Sequence, residues 1–398
     1  MSDLVKTEMK TKKVYLDYAA TTPVYPEVLK EMVPYFSDKF GNPSSVHFLG
    51  QEARVVVDEA REKIARLLNV SVNEIIFTGT TTVSDNLAIQ GVLEGISSPH
   101  IITSSIEHHA VLDVFKAMEK KGAVVSYIPV DEFGLVDLNA LEKSITAKTV
   151  LVSVMYANNE VGTVEPIEKI SKIIKAKEKE LGTRIYFHVD AAATVGWLPL
   201  DLPSFGVDLF SLGAHKFGGP KGVGILYLGK TVKISPLTFG GHHELGLFPG
   251  TEPVPLIVGM AKALEVSLTN SEKNIKKVSA LRDKLIFGML KINGVSLTGH
   301  PVQRLADIAS FLVAGVEGEA MLLLLSEKGI AASSGSACTS GQLKPSHVLL
   351  AMGIAPEKAH GSIRFSLGPE TKEADIDYVL NVFPEIINKL RAMRKGIS

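Results

Sequence analysis

From Glu74 onward the chain alternates short β-branched runs with helical patterns, and this alternation constrains the fold more than any other feature. Residues 74–78 (EIIFT) have the pattern of a strand, and residues 82–94 that of a helix. A strand follows at 100–104, then a helix running to residue 121, then a strand at 124–129. Residues 150–156 (VLVSVMY) form the continuous apolar run of a strand buried on both faces. An amphipathic helix over 167–180 and a strand at 185–189 come next. Alternation of this kind predicts an α/β fold with a mostly parallel sheet flanked by helices. Such sheets bind ligands at the carboxyl ends of their strands, so the loops after the strands carry the functional information.

The character changes after Thr251. A long helical stretch spans 256–290, followed by expected strands at 308–316 and 361–367 and helices at 319–328, 347–352 and 373–393. This region reads as a smaller α+β domain with its boundary near residue 265. A length of 398 residues agrees with two or three domains at ~150 residues each.

Composition narrows the function classes. Apolar residues make up 45% of the chain, enough to offset chain entropy, so it is not a disordered polymer. Forty-two basic against 43 acidic side chains leave a net charge of −1, without the excess that nucleic-acid binding or a polybasic membrane contact uses. The most apolar stretch, 305–332, is interrupted by Asp307, Glu317, Glu319, Glu327 and Lys328, and no run reaches the ~20 apolar residues of a membrane span. The first residues are polar and basic without the apolar segment of a secretory signal. Cys338 is the one cysteine, so no internal disulfide forms. The expectation is a cytoplasmic protein with no nucleic-acid or membrane partner.

Two motifs mislead. Residues 224–231 (GILYLGKT) match the P-loop spacing, but the spacer is apolar and strand-like, and Pro236 breaks the helix that would have to follow. The pairs His108–His109 and His242–His243 suggest metal ligation, yet adjacent side chains point apart and no HExxH or CxxC pattern accompanies them. No metal is expected.

Three strand ends carry chemistry together. Residues 211–216 (SLGAHK) place Lys216 after a strand, beside His215 and before a Gly-Gly-Pro turn, a setting that desolvates an amine and makes it nucleophilic. Residues 185–190 (IYFHVD) run a strand into Asp190. An Asp there serves as a helix N-cap, or as the partner of a protonated pyridine nitrogen. The strand EIIFT, followed by GTTT and a helix, aims amides and hydroxyls at one point, as a phosphate site does; an ordinary capped helix start has the same pattern.

With these residues in view, the chain resembles the pyridoxal-phosphate-dependent cysteine desulfurases of the NifS/IscS type, within the class V aminotransferase fold. The resemblance runs through YLDYAATTP (15–23), GNPSSVHFLG (41–50), SSIEHHAV (104–111), NNEVG (158–162), HVDAA (188–192), AHKFGGPKG (214–222), SSGSACTS (333–340) and GSIRFSLG (361–368). It implies fold type I of the pyridoxal-phosphate enzymes. An arm over 1–20 would pack on the small domain, 21–264 would form the large cofactor-binding domain, and 265–398 the small domain with the cysteine loop.

It also implies roles. Lys216 would hold the cofactor covalently and move the substrate Cα proton. Asp190 would keep the pyridine nitrogen protonated. His108 would stack on the ring and exchange a proton with substrate. Thr82 and His215 would hold the phosphate, with Thr81 beside them and Thr251 reaching across from the other subunit of a homodimer with shared active sites. Asn159 would bond cofactor or substrate, and Arg364 would clamp the amino-acid carboxylate with its bidentate fork. Cys338 would take sulfur from L-cysteine as a persulfide, release L-alanine, and pass the sulfur to an acceptor or scaffold protein for iron–sulfur clusters or thiolation. The alternatives are a selenocysteine lyase or aminotransferase on the same fold, or a non-catalytic scaffold.

The chain departs from the family pattern at several positions. Gly79-Thr80-Thr81-Thr82-Val83 stands where Ser-Gly-Ala-Thr-Glu is usual. Ala193 replaces a Gln that bonds the pyridoxal hydroxyl, Gly213 replaces a phosphate-binding Ser, and Phe248 replaces an Arg. These changes lead to an expectation of looser cofactor binding.

Overall fold

A computed structural model of the protein describes residues 12–335 and 344–395. Among them, seven strands form the main sheet: β2 (Ile75–Thr78), β3 (His100–Ser104), β4 (Val124–Ile128), β5 (Thr149–Ser153), β6 (Tyr186–Asp190), β7 (Leu209–Gly213) and β8 (Gly224–Leu228), following a short β1 (Val14–Tyr15). Their spatial order is β2-β8-β7-β6-β5-β3-β4. Only β8 runs against its neighbours, pairing antiparallel with both β7 and β2. The short connection from Gly213 to Gly224 returns the chain directly, whereas the parallel strands need helical crossovers.

Side chains alternate across this sheet with period two. Phe77, Ile102, Val152, Phe187, Val189, Phe210, Leu212 and Ile225 face one side and pack on helix α1 (Phe48–Leu67) and a later helix at 254–269. Ile76, Ile101, Leu151, Leu209 and Leu226 face the other, against helices α2 (Thr81–Leu93) and α3 (His109–Lys120). Two apolar faces explain why the sheet's inner strands read as unbroken apolar runs rather than alternating ones.

A second, three-stranded antiparallel sheet has the order β12-β10-β9, from β9 (Val295–Leu297), β10 (Ile308–Val313) and β12 (Ser362–Ser366). Its core of Phe311, Phe365 and Phe383 includes Leu16 from the start of the described chain. There β1 pairs in parallel with β11 (Ile330–Ala331), and the Ser366 amide donates to Leu16 O at 2.8 Å.

Some local expectations change. The expected helix over 256–290 is two helices, α4 (Val254–Thr269) and α5 (Ser271–Met289), separated by Asn270 at φ −96°, ψ 2°. Periodicity runs through that junction, but one non-helical residue interrupts the helix. The 150–156 run is a strand only to Ser153, and β9 is too short and half-exposed to announce itself in sequence. Residues 224–228 of the P-loop match are strand β8. Among the described residues, no helix is long and apolar enough to cross a membrane.

Candidate active site

The carboxyl ends of the parallel strands open on a cavity of about 670 Å3. Its walls include Thr81, Thr82, His108, Asn159, Asp190, Ala193, His215, Lys216 and Arg364, so residues separated by up to 283 positions in the chain meet in one place. Thr251 is exposed and does not line this cavity in its own chain. Cys338 lies outside the described residues; Ser333, Ser334, Gly335 and Lys344 through His347, on either side of it in sequence, line the cavity wall.

Lys216 ends a single 3-10 turn directly after β7. Its Nζ donates to Ala19 O at 2.6 Å and Ala20 O at 3.0 Å. The same segment holds its neighbour, because His215 Nδ1 lies 3.1 Å from Thr21 Oγ1 and the Thr22 amide donates to His215 O at 2.9 Å. The YLDYAATTP stretch is thus the floor under the lysine. The charge on Lys216 reaches Asp190, His108 and His215 together.

Asp190 terminates β6 and is buried, with Oδ1 accepting from the Ala192 amide at 2.9 Å. Burial first, and the nearby Asp85 second, push its carboxyl up to about 7, against the pull of the Ala192 amide and Lys216. His108 caps helix α3, its Nδ1 accepting from the Ala110 amide at 3.1 Å. Burial and then Lys216 lower it to about 4, so at neutral pH the ring is neutral and its proton sits on Nε2. His215 is lowered to about 4 for the same reasons. Arg364, on β12, donates from Nη1 to Asn159 O at 2.8 Å and from Nη2 to Asp17 Oδ1 at 2.9 Å, while its Nε is buried without a partner.

Helix α2 begins at the cavity, with Thr80 as N-cap accepting from the Val83 amide at 3.2 Å. The next hydroxyl, Thr81 Oγ1, is buried and has no hydrogen-bond partner. A Cβ added at Gly213 would lie 2.1 Å from it. The place a serine side chain would take at 213 is therefore filled by Thr81. Phe248 joins the apolar cluster around helices α2 and α3 and approaches Gly79.

Sequence reasoning passed over three buried carboxylates and two half-buried ones. Glu107 accepts from Ser104 Oγ and from the Met155 amide at 2.9 Å. Glu160 accepts from Ser346 Oγ, and burial pushes it up to about 7 despite Ser346 and Arg364. Glu165 accepts from the Val136 amide at 3.0 Å. Asp85 is fully buried on helix α2, and Asp17 holds Arg364. The one sequence signal for Asp85 was a charge inside an otherwise uncharged helix.

The His108 and His109 rings are 6.5 Å apart at 71°, and His243 Nε2 meets Ser44 Oγ at 3.0 Å. Among the described residues no group of three or more His, Cys, Asp or Glu is placed to hold a metal ion. The donor set suits a phosphorylated pyridine aldehyde instead: an amine at the cavity, a buried carboxylate at a strand end, a flat neutral histidine, and a helix N-terminus with an unsatisfied hydroxyl.

The class-V aminotransferase profile matches residues 14–379. A cysteine desulfurase IscS from Dictyoglomus turgidum is 49% identical over 385 residues, 96% of both chains. This chain belongs to the class-V aminotransferases, among the cysteine desulfurases of the NifS/IscS type. It is a pyridoxal-phosphate-dependent cysteine desulfurase. A cysteine desulfurase IscS from Methanosarcina thermophila is 48% identical over 391 residues, 98% of this chain and 95% of the relative. Among solved structures, a NifS-like protein superposes with a TM-score of 0.89 at 41% identity, covering 95% of this desulfurase and all of that chain. SspA in complex with cysteine gives 0.76 at 35%, covering 90% of this chain and all of the other.

Proposed function

We propose that this desulfurase divides its chemistry between Lys216, which handles the Cα proton, and Cys338, which takes the sulfur. The observation that carries the reading is that one strand-end cavity brings Lys216, Asp190, His108 and Arg364 together. The substrate is L-cysteine. Its carboxylate meets the Arg364 guanidinium, already oriented by Asn159 O and Asp17, with the unpartnered Nε as an additional donor. Thr81, Thr82 and His215 hold the cofactor phosphate, and Asn159 the cofactor or substrate. Asp190 receives the ring nitrogen. Bound pyridoxal phosphate supplies a covalent anchor for the amino group and an electron sink at the substrate carbons.

The amine of Lys216 removes the Cα proton. The Cys338 thiolate then attacks the substrate sulfur, forming an S–S bond as the Cβ–Sγ bond breaks and leaves its electron pair on carbon. A proton from His108 Nε2–H, replaced by the one the Cys338 thiol gave up on ionising, goes to that carbon, and Lys216 returns its proton to Cα; L-alanine leaves and a persulfide remains on Cys338. The small C-terminal domain from residue 265 carries that cysteine, and an acceptor or scaffold protein for iron–sulfur cluster assembly or thiolation removes the sulfur.

The decisive experiment mixes purified protein with L-cysteine and follows the visible spectrum, alanine and protein-bound persulfide. Cys338→Ala should keep the cofactor spectrum and lose the persulfide; a persulfide still built on the variant would show that another group is the nucleophile. Borohydride reduction followed by peptide mapping should find the pyridoxyl group on Lys216, and finding it on Lys221 or Lys230 would overturn the assignment.

The same reading includes a homodimer. Thr251 is exposed beside Glu252, which holds the Arg54 fork at 3.0 and 2.8 Å, and so is free to serve a neighbouring cavity. A fully active monomer in sedimentation would refute this arrangement. The single cysteine, with no internal disulfide to protect, supports a cytoplasmic setting; recovery of the protein in an extracytoplasmic fraction on cell fractionation would refute it.

A further inference from the structure

The face of the sheet covered by helix α2 is apolar along most of its length and polar at one spot. Ser153, His188, Asp190 and Ser211 share strand parity with Leu151, Tyr186 and Leu209, so their side chains emerge on that face at the carboxyl ends of β5, β6 and β7. His188 lies between two hydroxyls, with Nδ1 2.8 Å from Ser153 Oγ and Nε2 3.0 Å from Ser211 Oγ. Asp85 descends onto this island from helix α2, one turn after Thr81 on the same helix face. It lines the cavity and has no solvent exposure.

Neither carboxylate oxygen of Asp85 has a hydrogen-bond partner among the described residues. His188 Nε2 is 3.5 Å from its Oδ1, an ion-pair distance only. The Ser211 hydroxyl is close enough to offset part of the burial effect, yet its hydrogen-bond geometry is with His188. A buried, unsatisfied carboxylate is costly and calls for an explanation. His188 does not supply a balancing charge, because burial lowers it to about 4 and leaves it neutral. Asp85 and Asp190 therefore form a buried acidic pair with one cation in reach among the described residues, Lys216, whose charge acts on Asp190.

We propose that Asp85 is a positioning residue that acts through Asp190 and His188: its charge, held behind Asp190, keeps the ring nitrogen of bound pyridoxal phosphate protonated. The proposal rests on the placement of that ring against Asp190. A protonated ring nitrogen supplies the cation that the acidic pair lacks, and the pair in turn makes the nitrogen a stronger base. Asp85 itself rises to about 7, chiefly from burial, so it carries its charge most fully once a cation is present. The titratable or charged groups around it are His188 and Asp190 on β6 and, beyond β7, Lys216. Strands β5 and β7 add only the Ser153 and Ser211 hydroxyls, while β2, β8 and helix α3 face helix α2 with Ile76, Leu226, Val111 and Phe115.

The test uses the full-length protein loaded with pyridoxal phosphate labelled with 15N in the ring, whose nitrogen resonance separates the protonated from the unprotonated form. In the wild type the nitrogen should stay protonated through neutral pH. Asp85→Asn, and the smaller neutral Asp85→Ser, should move its titration midpoint down by roughly one pH unit or more, the size of effect a nearby charge has. Asp85→Glu should restore most of that shift. An unchanged midpoint in either neutral variant, or loss of the fold in both, would show a purely structural role and overturn the proposal. Failure of the wild type to place its ring nitrogen in the protonated form would instead overturn the role given to Asp190.

Discussion

The sharpest consequence of the site geometry concerns Thr81 and Gly213, which compete for one volume. A Cβ at position 213 would sit 2.1 Å from Thr81 Oγ1, far inside the 3.0 Å below which something must shift. Gly213→Ser alone must therefore displace Thr81, at the ~1–3 kcal/mol that overpacking costs. Thr81→Ala alone removes a hydroxyl that is buried and partnerless, the one proposed above to meet a phosphate oxygen. A hydrogen bond to a charged group contributes ~1.5–3 kcal/mol, which is roughly tenfold to a hundredfold in cofactor affinity. The double variant removes the clash and returns a hydroxyl from the strand side. It should recover most of the affinity, with a coupling of ~1.5 kcal/mol or more, well above the ~0.3–0.5 kcal/mol scatter of independent sites. The assay is titration of cofactor-free protein with pyridoxal phosphate across the four-member cycle. Additive losses, or a Thr81→Ala variant that binds as tightly as the wild type, would refute the shared-volume argument and leave Gly213 as a plain loss of one contact.

Two further outcomes follow from the same geometry. Burial raises the carboxyls of Asp85, Asp190, Glu160 and Asp307 to about 7 and that of Glu165 to about 8. A carboxyl that holds its proton more tightly folded than unfolded contributes stability that is lost as pH rises between its ordinary and its raised value. The cofactor-free protein should therefore weaken from about pH 4.5 toward about pH 8. Glu160→Gln should remove up to ~3 kcal/mol of that loss, at 1.36 kcal/mol per unit, read as a smaller fall in Tm between slightly acid and slightly alkaline buffer; an equal fall in both proteins would refute it. Asp17→Asn should free one arm of Arg364 and change the KM for L-cysteine more than kcat, whereas an unchanged KM would show that Asp17 has no part in carboxylate binding.

The local parts of this desulfurase were legible because they are local. Apolar runs at 100–104 and 185–189 and the helical periodicity at 167–180 depend on neighbours a few residues away, and all became the expected elements within a residue or two. Lys216 and Asp190 stood out for the same reason, as polar groups at the ends of buried strands. Motif resemblance extended this to His108 and Arg364, whose place in the same cavity no periodicity would have suggested.

What the chain could not announce depends on contacts between distant segments. Asn270 splits a continuous helical pattern because two packing surfaces meet there. Strand β8 reverses because its connection is short, which an apolar run does not encode. Asp17 and Arg364 lie 347 positions apart, and nothing in either neighbourhood names the other. The exchange of space between Thr81 and Gly213, and the burial of Asp85 beside His188, exist only once helix α2 is laid across the ends of β6 and β7. Sequence by itself determined most of the strands and helices of the main sheet and several of the side chains that could do chemistry, because those follow from short-range sterics and periodicity. Tertiary structure decided which of them share a cavity, which hydroxyl fills it and which carboxylate is left without a partner, because burial and electrostatics are set by whatever packs across the gap.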